Sequence, residues 1–89
     1  MKGSEKQIKW AADIQRALIA MCETAAAQEA GASNMWTALA EKVRACDKSW
    51  ELIDAFGAIR FSEDALDNFN RVMRLSSARE YLANLAKEG

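Results

Sequence analysis

Asn34–Phe56, NMWTALAEKVRACDKSWELIDAF, is the stretch whose reading decides the fold. Met35, Leu39, Val43, Cys46, Trp50 and Ile53 follow one another at steps of four, four, three, four and three. A helix returns to the same face at such steps, whereas a strand alternates every second residue. The spacing therefore predicts one uninterrupted helix over about 34–56, with Trp36, Ala40 and Phe56 beside the stripe. Ser33 or Asn34 is the expected cap, and Gly57 the expected end.

Working outward, Ser4 and Gln7 have the spacing of a reciprocal capping box. Ile8, Trp10, Ala11, Ile14, Leu18, Met21, Cys22 and Ala25 then mark a broad apolar face. This helix is expected over about 5–30, stopped by Gly31 in the left-handed conformation. Beyond Gly57, Ile59 and Phe61 read as apolar anchors in a connector over 58–62. Ser62 opens a helix of about 63–75, with Glu63 and Asp64 in its first turn and Leu66, Phe69, Val72 and Met73 facing inward. Asp67 and Arg71 stand four apart with the acid first, a favourable surface pair. Ser77-Ala78-Arg79-Glu80 is a second capping-box spacing, which favours a separate last helix over 77–87 but leaves open one bent rod with the helix before it; the segment presents Tyr81, Leu82, Leu85 and Ala86. The expectation is an all-α chain, a compact bundle of three to four helices forming one domain over 1–89.

Composition agrees with that architecture. The 89 residues are 51% hydrophobic, with no proline and four glycines, too few breakers for a sandwich or barrel. No uncharged apolar run is long enough to span a membrane. Glu5, Lys6, Lys9 and Asp13 stand where a signal peptide needs an apolar run, so a cytoplasmic protein is expected. In that compartment Cys22 and Cys46 are reduced thiols packed as small apolar residues.

The chemistry is marked by what is missing. With no histidine, the commonest general base, the serine–histidine and cysteine–histidine nucleophiles and most zinc sites are removed. The cysteines have no CxxC spacing, no serine is followed by lysine at the third position, and the glycines form no phosphate-binding loop. Asp47, Glu51 and Asp54 share a helix face, but they read as a solvated acidic face interleaved with Lys48 rather than a metal or acid–base cluster. A non-catalytic protein with no cofactor and no metal is expected.

Binding is left, and the net charge of −1 hides a partition. Lys2, Lys6, Lys9 and Arg16 make residues 1–22 basic; Asp47, Glu51, Asp54, Glu63, Asp64 and Asp67 make 47–67 acidic; Arg71, Arg74, Arg79 and Lys87, against Glu80 and Glu88, make 68–89 basic again. Solvated faces pairing with one another account for such a pattern without a partner. Trp10, Trp36 and Trp50 are the costliest side chains to expose, and a bundle of this size hides about two indoles well. Those three, with the acidic residues of 47–67, are the candidate contacts for a partner protein or a second copy of the chain. Nucleic acid is the alternative partner, through Lys2, Lys6, Lys9, Arg16, Arg71, Arg74 and Arg79, although the pI of about 5.4 is low for a domain living on phosphate contacts. The acidic region is also compatible with a local docking patch for a basic partner.

The opening Gly3-Ser4-Glu5-Lys6-Gln7-Ile8-Lys9-Trp10-Ala11, followed by Ile14, resembles the start of small proteins carried by phages and mobile elements of Firmicutes-type bacteria. Trp50-Glu51-Leu52-Ile53-Asp54 is the nearest counterpart of their downstream aromatic-Ile-Asp element, from which Glu51 and Leu52 depart. The resemblance covers about a dozen residues at the N-terminus and a handful here, and it brings no catalytic residues. It implies a phage-borne protein that binds and blocks a host protein, such as an anti-CRISPR inhibitor or adaptor.

Overall fold

The computed structural model describes residues 1–87, apart from the side chain of Ala30; Glu88 and Gly89 lie outside the described residues. Among the described residues five helices replace the expected three to four: α1 (Glu5–Gln28), α2 (Ser33–Ala45), α3 (Ser49–Phe56), α4 (Ala65–Arg74) and α5 (Ser76–Lys87). A short 3-10 turn, Ala30–Ala32, joins α1 to α2. At 1.5 Å per residue α1 is about 36 Å long, and it sets the long dimension of a body measuring 39 × 28 × 20 Å. Helices α2, α3 and α4 each pack against both α1 and α5. Among the described residues no helix is long and apolar enough to cross a membrane.

Helix α1 follows its stripe. Ala11, Ile14, Leu18, Met21, Cys22 and Ala25 are buried, and Ser4 with Gln7 forms the reciprocal capping box. The end differs from expectation. The helix stops at Gln28, and Gly31 does not take a positive φ. The 3-10 turn closes instead with the Ala32 amide donating to the Glu29 carbonyl, leading straight into α2. Ser33 is consequently the first residue of α2 rather than its cap, and neither it nor Asn34 caps through a side chain.

The main departure lies in the deciding stretch itself. The helix expected over 34–56 is broken between Ala45 and Ser49. Two distant pieces of chain take up the backbone groups released there. The Lys2 amide donates to the Asp47 carbonyl, and the Ser49 amide and hydroxyl both donate to the Lys2 carbonyl, at 3.1 and 2.6 Å. Lys2 and Lys48 thereby form an isolated parallel bridge. The side-chain amide of Gln15, on α1, donates to the Val43, Arg44 and Cys46 carbonyls at 2.8, 3.1 and 3.4 Å. Orphan carbonyls at a helix end need such partners. Cys46, Asp47 and Ser49 are middling to weak helix formers, so the break forfeits little local preference.

The break changes which residues face inward. In an unbroken helix Trp50 would continue the stripe of Val43 and Cys46; after the break Ser49, Leu52, Ala55 and Phe56 are the buried positions of α3. Phe56 is the largest fully buried side chain, and the Tyr81 ring meets it edge-on at 5.3 Å.

The remaining elements need smaller corrections. Helix α4 starts at Ala65, with Asp64 as its cap accepting from the Leu66 and Asp67 amides, so Ser62 and Glu63 precede the helix. Ser62 is instead clamped by buried Asn68, which accepts from the Ser62 amide at 2.8 Å and donates to its carbonyl at 2.9 Å. That clamp, with the half-buried Ile59 and Phe61, fixes the connector against the core. On α4, Val72 and Asn68 are buried, while Leu66, expected inside, is 49% exposed. A separate last helix is present, but Ser77 lies inside it and donates to the Ala55 carbonyl rather than forming a capping box. Lys42 donates to the Leu85 carbonyl at 2.7 Å, a favourable place for a cation near the end of α5. Trp36 packs edge-on against Phe69, ring centres 5.5 Å apart, with its indole N–H buried and unpaired.

Gly3 joins the bridge to α1 at φ +135°, and a Cβ there would collide with the Ser49 hydroxyl. Gly3→Ala is therefore expected to cost about 1–3 kcal/mol, a fall of roughly 5–20 °C in melting temperature by calorimetry; an unchanged melt would mean that residues 1–3 do not hold the break.

Cys22 is buried, and both cysteines are free. Desolvation, and then the neighbouring Glu23 carboxylate, push the Cys22 thiol up from 9.0 to about 11. The neutral thiol is thus the form the fold prefers. Its contribution is complete below pH 9 and is lost as the unfolded chain ionises between about 9 and 11. Melting curves from pH 7 upward should show wild type losing up to about 2–3 kcal/mol more than Cys22→Ala across that window; parallel losses would contradict the assignment.

Candidate protein-interaction surface

The three tryptophans occupy two environments. Trp36 is buried, which leaves Trp10 and Trp50, 48% and 43% exposed, as indoles able to reach a partner. Trp10 projects from the first half of α1, and its ring edge lies against Gly57, where an added Cβ would stand 3.2 Å from it. Trp50 and Ile53 on α3 and Gly57, which caps its end, succeed one another at steps of three and four and so share a face. The two indoles therefore border one α1–α3 ridge, with Trp50 about 10 Å along α3 from the glycine that Trp10 touches. Helix α1 positions the first indole through its capping box, and the break before α3 turns the second outward.

The acidic residues read from the sequence divide. Asp47 pairs with Lys2 at 3.9 Å and Glu51 with Lys48 at 3.7 Å. Glu51 and Asp54 join Ser77, Glu80, Tyr81 and Asn84 along an open groove of about 470 Å³ between α3 and α5. A neighbouring groove of about 290 Å³ shares Glu51 and Tyr81 and adds Asp47 and Cys46 at the helix break. The Tyr81 hydroxyl donates to the Cys46 sulfur at 3.5 Å. Glu63 lines a different groove with Asp13 and Arg16. Asp64 and Asp67 serve local structure, one as the α4 cap and the other as the partner of Arg71 at 2.9 Å, the pair expected from their spacing. Among the described residues no group of three or more His, Cys, Asp or Glu could hold a metal ion.

The basic residues are also partly committed. Lys2, Arg16 and Arg71 have acidic partners in Asp47, Asp13 and Asp67. Among the described residues no ion pair engages Lys6, Lys9, Arg74 or Arg79. Arg71 and Arg74 share a groove with Arg60, a residue the charge pattern did not single out.

Gln15, Asn68 and Ser49, which shape this surface, were not marked by sequence reasoning. Each is a polar residue whose partners are backbone groups brought up by folding. No protein-family model, curated protein or solved structure matches this chain, so its surface is read from its own residues.

Proposed function

We propose that this chain is a non-catalytic protein-binding module that occupies and blocks a host protein, using the α1–α3 ridge as its contact face. The observation carrying this reading is the pair of half-exposed indoles, Trp10 and Trp50, on adjoining helices. Aromatic anchors of this kind supply large contact area at low entropic cost and dominate binding energy where they occur. Mixed charge surrounds them: Lys6 and Lys9 are exposed on α1 and Asp54 on α3, as in the polar rim of an interface that forms and dissolves. The host and the blocking role come from the resemblance of Gly3–Ala11 to phage and mobile-element proteins, and inhibition of a CRISPR effector is the specific form we favour. The nucleic-acid alternative is less well supported, because three of its seven basic residues pair with neighbouring carboxylates.

The test is capture of a host protein by the tagged chain, with Trp10→Ala and Trp50→Ala compared against wild type. An anchor contributes about 2 kcal/mol or more, so each substitution should weaken the captured complex roughly thirtyfold without changing the circular dichroism. Equal capture by all three proteins, or CRISPR interference blocked by wild type and restored by neither variant, would contradict the reading. Light scattering on the isolated chain separates a self-associating ridge from a host-binding one.

A further inference from the structure

Between the connector after α3 and the end of α4 lies an open groove of about 380 Å³, lined by Ala58, Ile59, Arg60, Arg71, Arg74 and Leu75. Its apolar part is aliphatic, its charged lining is wholly arginine, and no carboxylate lines it. Arg71 is committed: it pairs with Asp67 and donates to the Arg60 carbonyl, tying the connector to α4. Arg60 and Arg74 are exposed and, among the described residues, engage in no ion pair. Arg74 also complements the carbonyl end of α4, which uses its charge but leaves its fork of donors free.

We propose that this groove docks an acidic peptide segment of a protein partner, with an apolar side chain on Ile59 and Leu75 and carboxylates on Arg60 and Arg74. This rests on the protein-binding reading and names the chemistry of the partner. Arginine forks grip carboxylates through two parallel bonds, which suits two guanidiniums standing over a common floor. The lining offers no aromatic ring for a base to stack on, the usual platform for a single nucleic-acid strand, whereas an aliphatic side chain of a peptide matches Ile59 and Leu75. Location supports the same occupant. The groove begins at Ala58, bonded to the Gly57 that Trp10 touches, so one partner can span the aromatic ridge and the groove.

The probe is a fluorescent peptide of about 12 residues built from Glu-Glu-Leu triplets, read by anisotropy beside a Glu-Glu-Ser version and a thymidine oligonucleotide of equal length. The full chain should bind the leucine peptide best, and Arg60→Ala with Arg74→Ala should weaken it about tenfold while the thermal melt stays unchanged. Tighter binding of the oligonucleotide, equal binding of the serine peptide, or no loss in the double variant overturns the proposal. So does a dimer of the chain that the double variant dissolves, since the occupant is then a second copy. Host capture separates the two readings: loss on Trp50→Ala but not in the arginine variant retains the ridge and overturns the groove. Peptide binding lost only in the arginine variant, with capture indifferent to both indoles, retains the groove and overturns the ridge.

Discussion

The carbonyl of Lys2 receives both the amide and the hydroxyl of Ser49, and that pairing holds α3 off the axis of α2. Gln15 completes the arrangement from α1 by taking the carbonyls at the end of α2. Neither contact is large, since a hydrogen bond contributes about 0.5–1.5 kcal/mol net. Their effect is geometric. They allow Ser49, Leu52 and Phe56 to enter the core, and they put Trp50 on the outside. The surface proposed to meet a partner is thus a consequence of a break in a helix.

That dependence explains how the sequence could be read so far and no further. The stripes of α1 and the first half of α2 are local, because Ala11, Ile14, Leu18, Leu39 and Val43 lie at helical steps within one element. The all-helical class, the Ser4–Gln7 box and the Asp67–Arg71 pair follow from the same local rules. The break carries no proline or glycine and interrupts no stripe; its cause sits at residues 2 and 15, remote in sequence. Trp50 was accordingly read as continuing the line of Cys46, and Phe56 as lying beside it. Helix α4 starts later than expected, capped by Asp64, for a related reason, since Ser62 finds its partner Asn68 through the fold of the connector.

The candidate site divides along the same line. Trp10, Trp36 and Trp50 were legible as a set from their cost of exposure, while their sorting into two outside and one inside needed the packing of five helices. The acidic and basic runs were legible as totals, but Asp47, Asp64, Asp67, Lys2 and Arg71 turn out to be tied into local structure. Arg60 was passed over because it stands inside the acidic run; only the turn after α3 brings it beside Arg74. Charge counted along a chain describes solvation well and binding poorly.

Backbone NMR assignment of the free protein addresses the break most directly. The account requires non-helical carbon shifts at Cys46–Lys48 between two helical segments, an interproton contact between Lys2 and Lys48, and a slowly exchanging Ser49 amide. Unbroken helical shifts from Ser33 to Phe56, with the first three residues averaging freely, would contradict it and return Trp50 to the interior.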